Sequence, residues 1–216
     1  MSDAGHERRA RLERARLYLV CDARPADFVR AALAGGVDVL QLRDKTADDE
    51  AILRAAVTFR ECCDEAGALF VVNDRPDLAV AAGADGVHVG QADMAVEQAR
   101  AMVGDDLLVG RSTHSPEQLD DARGVDYVAV GPVHATPTKP GRPAIGLEPI
   151  RYAAAHARIP WFAIGGIDPD TIAPVLQAGA ERVVVVRAIA DAPDPHTAAR
   201  ALRTALDRQE AGVGAP

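Results

Sequence analysis

Two aspartates, Asp74 and Asp93, close or closely follow consecutive apolar runs, "ALFVVND" (68–74) and "GVHVGQ" (86–91). If those runs are neighbouring strands, the two backbones lie about one strand spacing apart, roughly 5 Å. Carboxylates that close repel each other unless a proton or a cation lies between them. Two carboxylates at a pocket mouth suit Mg²⁺, which keeps waters and shares the phosphate oxygens of a substrate. The plainer alternative is that each aspartate caps the helix after it. Strand alternation in "QLRDK" (41–45) puts Gln41, Arg43 and Lys45 on one face. Arginine offers a planar fork for phosphate oxygens and lysine a compact charge. Such a comb beside an acidic pair suits a diphosphate–Mg²⁺ unit; a solvated strand end is the alternative.

Other apolar runs also end in residues that a core would not choose. Asn73 precedes Asp74, "LLVGRST" (107–113) ends in Ser112 and Thr113 before His114, and "ERVVVVRAI" (181–189) carries Val186-Arg187. "IGGI" (164–167) contains Gly165-Gly166, and glycines allow a backbone to approach a phosphate closely. After "YVAVGPV" (127–133) comes a long loop, "HATPTKPGRPAIGL", rich in hydroxyl and cationic donors and stiffened by proline. Cys21, His88 and His134 read as packing residues.

These residues need a frame. Runs rich in Val, Ile and Leu recur about every 20–30 residues, eight in all, and near-continuous apolar runs suit strands buried on both faces. Between them lie segments with helical spacing, such as 48–67 and 168–179, several with an Asp or Ser start and a Gly stop. Four stretches, "AGGVDVLQL", "AAGADGVHV", "DARGVDYVAV" and "QAGAERVVVV", repeat one pattern of helix end, glycine turn, acidic residue and strand. The alternation predicts an α/β fold, a single-domain (β/α)₈ TIM barrel over 16–209, with an open doubly wound sheet as the alternative. In such a barrel, chemistry gathers at the C-terminal strand ends, where the polar residues above fall. Residues 1–15 read as a solvated lead-in and 210–216 as a frayed tail.

Composition sets limits. The net charge of −8 argues against a nucleic-acid or anionic-membrane partner, so an anionic ligand must be held by a local positive pocket. Aromatics are 4% of the 216 residues, leaving Val, Ala, Leu and Ile to fill the core. No apolar run approaches the ~20 residues of a membrane span. Three cysteines without zinc spacing suit reduced thiols in a cytoplasmic protein.

Taken together, these segments resemble the thiamine phosphate synthase family from about residue 16 to 205. "QLRDK" is similar to its diphosphate-binding strand, "ND" (73–74) and "GQAD" (90–93) to its magnesium acids, and "RSTHS" (111–115) to its pyrimidine segment. "TPTK" (136–139) is similar to its Thr-x-Thr-Lys loop and "IGGI" to its phosphate glycines. The resemblance implies Mg²⁺ on Asp74 and Asp93. It implies charge neutralisation by Arg43, Lys45 and Lys139, and substrate contacts from Gln41, Leu42, Asp44, Asn73, Ser112, Thr136, Pro137, Thr138, Gly166, Val186 and Arg187. The activity implied is the Mg²⁺-dependent joining of an aminopyrimidine methyl diphosphate to a thiazole phosphate by dissociative loss of pyrophosphate, with no side-chain nucleophile. Arg187 stands where many relatives carry serine, and Ala135 where proline is frequent. Barrels of this type are often homodimers, though no interface announces itself. The rival expectations are a thiazole tautomerase on the same barrel, which has no diphosphate to expel, and a non-catalytic phosphate-ligand sensor.

Overall fold

The computed structural model describes residues 1–135 and 143–213. Strands and helices alternate: α1 (Asp3–Arg14), β1 (Leu17–Cys21), α2 (Ala26–Ala34), β2 (Val39–Leu42), α3 (Asp49–Ala66), β3 (Leu69–Asn73), α4 (Pro76–Ala81), β4 (Gly86–Val89) and α5 (Val96–Val103). The second half runs β5 (Leu108–Thr113), α6 (Pro116–Asp120), β6 (Tyr127–Val130), α7 (Glu148–His156), β7 (Trp161–Ile164), α8 (Ile172–Gln177), β8 (Val183–Val185), α9 (Arg187–Ala190) and α10 (Pro195–Val213). Each strand pairs in parallel with its neighbour in sequence, and β8 pairs with β1. The sheet is therefore a closed barrel, and the open doubly wound alternative is excluded. Local sequence explains the elements. In α3, Asp48 accepts the Ala51 N–H at 2.8 Å, and Gly67, at φ 69°, ends the helix in the left-handed conformation.

Strand alternation separates two packed layers. Leu19, Leu40, Leu42, Phe70, Val87 and their equivalents face the helices. Tyr18, Val20, Val39, Leu69, Val71, Tyr127, Phe162 and Val184 fill the barrel interior. Both layers hold aromatics: in the interior the rings of Tyr18, Tyr127 and Phe162 meet one another at centroid distances of 5.4–6.0 Å, while Phe59, Phe70 and Trp161 pack on the helix side. Aliphatic residues supply most of both layers, as the composition implies, with the three rings added in the inner one. Gly110 makes room for them, since a Cβ there would lie 2.1 Å from Tyr127 Cζ.

The repeated acidic residues are clamps at the strand starts. Asp38 donates its N–H to Leu17 O and accepts the Leu17 N–H on its carboxylate at 3.0 Å. Asp85 does the same to Phe70 and Asp126 to Val109. Each ties an even strand to the odd strand before it and meets an arginine: Asp85 and Asp126 meet Arg60 and Arg100 from the helix preceding that odd strand, and Asp38 meets Arg203 of α10. The fourth echo departs from the pattern. Arg182, not Glu181, occupies the strand-entry position, and the Glu181 carboxylate is largely exposed.

Residues 1–15 are not a solvated lead-in. They form α1, whose Arg8 pairs with Asp85 at 3.0 Å and whose Arg9 pairs with Asp126 at 2.8 Å. Leu12 and Ala15 plug the lower end of the interior. The helix carries little apolar sequence because ion pairs, more than an apolar stripe, hold it. At the other end α10 continues to Val213, past the boundary expected at 209.

Burial alone would raise the Asp85 carboxyl pKa, but Arg60, the Phe70 N–H and Arg8 more than offset this and hold it below the usual aspartate value. A depressed folded pKa contributes stability that is present above the unfolded value of about 3.9 and lost as pH falls below it. Asp85→Ala should therefore cost about 3 kcal/mol in urea unfolding at neutral pH, and the gap from wild type should shrink in acid. Glu181→Ala, at an exposed carboxylate, should stay within about 0.5 kcal/mol.

Candidate active site

The C-terminal strand ends open into two adjoining cavities. The smaller, about 70 Å³, is lined by Gln41, Arg43, Asn73, His88 and Ser112 above the Tyr18 ring. The larger, about 640 Å³, is lined by Ser112, His114, His134, Gly165, Gly166 and the 184–188 segment, among others. Ser112, Ile164, Val184 and Val186 face both.

Gln41 and Arg43 reach the small cavity because β2 turns these alternate positions inward, while Arg43 N–H is fixed on Cys21 O at 2.8 Å. Among the described residues Arg43 has no ion-pair partner. Lys45 lies outside the cavity, 3.2 Å from the Asp74 carboxylate. Two of the expected contact residues direct their side chains elsewhere. Leu42 is buried against the helices. Asp44 accepts from Thr46 N–H, Thr46 Oγ1 and Ala47 N–H, bonds that hold its carboxyl below the usual range and commit it to the loop after β2.

Asp74 and Asp93 are both anchored at the C-terminal end of β4, one on it and one just past it. Asp74 N–H donates to His88 O at 2.8 Å, and the Asp93 carboxylate accepts the Gly90 N–H at 3.0 Å. Those anchor residues, His88 and Gly90, are two positions apart in the chain. Asp93 does not cap α5, whose N-cap is Ala95. Asp74 is the one non-glycine residue with positive φ among the described residues, at 60°. Such a conformation costs on the order of 1 kcal/mol for a side chain other than glycine. A strained, half-buried carboxylate facing Lys45, with a second carboxylate held on the same strand end, is an oxygen donor set that fits a hard divalent cation.

Around the larger cavity, Gly165 and Gly166 take φ values of 110° and 64°. A Cβ on Gly165 would lie 2.4 Å from Pro132 Cα, so the close approach of the β6 and β7 ends requires glycine there. Among the described residues the Gly166 and Val186 N–H groups donate to no backbone carbonyl. Arg187 is exposed, lines the cavity and has no ion-pair partner among the described residues, so it is not turned away into a salt bridge there. Thr136, Pro137, Thr138 and Lys139 lie outside the described residues.

Sequence reasoning passed over several site groups. His88 is buried as expected, yet its ring bonds Ser112 Oγ at 3.0 Å. His134 lines the large cavity, and its buried Nε2 has no hydrogen-bond partner among the described residues. Gln91 bridges Ser112 O at 2.6 Å and Arg111 at 3.1 Å, bracing the β4 and β5 ends. Cys21 is a packing residue, its thiol pushed up to about 12, chiefly by burial.

A family model described as thiamine monophosphate synthase matches residues 17–189. Thiamine-phosphate synthase of Thermobifida fusca is 56% identical over 207 residues, covering 92% of this chain and 95% of that one. The enzyme of the same name from Saccharopolyspora erythraea is 55% identical over 213 residues, covering 92% and 96%. Among solved structures, thiamine phosphate pyrophosphorylase from Pyrococcus furiosus matches with a TM-score of 0.84 at 35% identity, covering 93% of this chain and 98% of that one.

If the strain at Asp74 is retained for its carboxylate, Asp74→Gly should relieve the backbone while removing the ligand. Thermal unfolding should show stability equal to wild type or higher by up to about 1 kcal/mol. Divalent-cation binding measured by calorimetry should fall by at least about tenfold.

Proposed function

The chain belongs to the thiamine monophosphate synthase family, and we propose on that premise that it joins a pyrimidinylmethyl diphosphate to a thiazole phosphate. The supporting observation is the pair of adjoining cavities that share Ser112. One carries Gln41, Arg43 and Asn73 beside the Lys45–Asp74 pair; the other carries backbone N–H groups and Arg187. Two phosphorylated substrates held edge to edge suit a condensation.

The bond changes balance without a proton shuttle. The methylene–oxygen bond breaks with its electron pair leaving on pyrophosphate, and the thiazole nitrogen lone pair forms the new carbon–nitrogen bond. Arg43 and Lys45 would meet the charge growing on the departing oxygens, where fixed cations act most strongly. Asp74 and Asp93 would hold a divalent ion, Mg²⁺ in this proposal, whose charge when bound neutralises diphosphate oxygens. Gln41 and Asn73 would orient the pyrimidine, and Gly166, Val186 and Arg187 the thiazole phosphate. From the sequence, Thr136 and Thr138 join the thiazole phosphate side and Lys139 the diphosphate. Among the described residues no helix is long and apolar enough to cross a membrane. A cytoplasmic location and a homodimer go with the same proposal.

Incubation with both substrates and Mg²⁺ should yield thiamine phosphate and pyrophosphate in equal amounts. Asp93→Ala and Lys139→Ala should each slow turnover about 100-fold or more; unchanged rates in both would mean the site is misassigned. Arg187→Ser should raise the KM for thiazole phosphate by about fivefold, the value of one exposed charged contact, with kcat little changed. An unchanged KM removes Arg187 from the phosphate site.

A further inference from the structure

A chain of hydrogen bonds crosses the barrel floor beneath the small cavity. Gln41 Nε2 lies 2.6 Å from Tyr18 OH, and Tyr18 OH lies 2.9 Å from Tyr127 OH. Tyr127 OH is 3.3 Å from His88 Nδ1, and His88 Nε2 is 3.0 Å from Ser112 Oγ. All five side chains are buried. Tyr18 and Tyr127 are ordinary interior residues by position, and the coupling chemistry above makes no use of them.

We infer that the Tyr18–Tyr127 pair sets the direction of this chain, so that His88 keeps its proton on Nε2 and Ser112 offers its own proton to the cavity. The direction starts at Gln41, because an amide N–H can only donate. Tyr18 accepts that bond and donates its own O–H to Tyr127. Tyr127 donates its O–H to His88 Nδ1, and the imidazole proton is left on Nε2, donating to Ser112 Oγ. Every proton in the chain then has an acceptor, and Ser112 is left as a donor. With Gln41 donating, the opposite direction would leave the Tyr18 proton without an acceptor in the chain, a costly arrangement for a buried hydroxyl.

Both ends of the cavity are polarised as a result. Gln41 has its amide N–H on Tyr18 and can present its oxygen to an N–H of a bound ligand. Ser112, between the two cavities, presents O–H to an anionic or lone-pair acceptor. This inference rests on the proposed function to the extent that the cavity holds an anion, since a serine acting as acceptor there would repel one. Tyr18 and Tyr127 are positioning residues: they touch no reacting atom and act through Gln41, His88 and Ser112.

The test is nitrogen NMR of ¹⁵N-histidine-labelled protein without ligands, in slightly alkaline buffer, with His88→Gln to assign the signals. His88 should show one tautomer, protonated at Nε2 and unprotonated at Nδ1. Tyr127→Phe, which keeps the ring and removes the donor, should convert it to a mixture, and so should Tyr18→Phe, which disconnects Gln41. In both variants kcat should fall about tenfold with the KM for thiazole phosphate unchanged, the ratio expected for one lost hydrogen bond of ordinary strength. Wild-type His88 protonated at Nδ1 or at both nitrogens, or a tautomer indifferent to both substitutions, would overturn the inference. The NMR result does not depend on turnover. An Nε2 tautomer in a protein that makes no thiamine phosphate upholds the chain and defeats the proposed function, while an Nδ1 tautomer in an active enzyme does the reverse.

Discussion

A protein with a net charge of −8 can hold a diphosphate only by local attraction, and the arrangement of cations follows from that constraint. Two unit charges 4 Å apart attract by about 4 kcal/mol at an effective dielectric of 20. Surface charges farther away than about 8–10 Å are largely screened at physiological salt. A few fixed cations at the rim therefore outweigh the diffuse negative field. Arginines at the lower end cannot contribute: Arg8, Arg9, Arg60, Arg100 and Arg203 are held by Asp85, Asp126 and Asp38. Those pairs stabilise the barrel where no chemistry occurs. At the upper end Arg43 and Arg187 are uncommitted among the described residues, and Lys45 is poised on Asp74.

The barrel turns this charge separation into a site. Parallel strands bring every C-terminal end to one rim, so short groups of residues scattered from 41 to 187 converge there. The interior rings of Tyr18, Tyr127 and Phe162 form a packed floor, and the two tyrosine hydroxyls continue into the polar groups above. Core and site are thus one structure: the side chains that fill the lower interior also fix the orientation of those that face the ligand.

Much of this was legible in the residues. The eight strands show as Val-rich runs because both faces of each strand are buried. The acidic echo before the strands marked real positions, although only the structure shows Asp38, Asp85 and Asp126 to be clamps and Glu181 an exception. What stayed hidden depends on partners distant in sequence. Tyr18 and Tyr127 meet across 109 positions, a contact that only barrel closure creates. Helix α1 lacks an apolar stripe because Arg8 and Arg9 anchor it. The strain at Asp74 has no sequence signal, whereas the turning of Leu42 and Asp44 away from the cavity follows from the same alternation that brings Gln41 and Arg43 into it.

In the proposed reaction Asp74 and Asp93 jointly hold one divalent ion against the diphosphate. Anomalous diffraction from crystals grown with Mn²⁺ and pyrophosphate addresses this placement directly. The account predicts a single strong peak within bonding distance of both carboxylates and of a pyrophosphate oxygen, with Arg43 and Lys45 on the same anion. A peak on neither aspartate, with pyrophosphate bound in the same cavity, would contradict it.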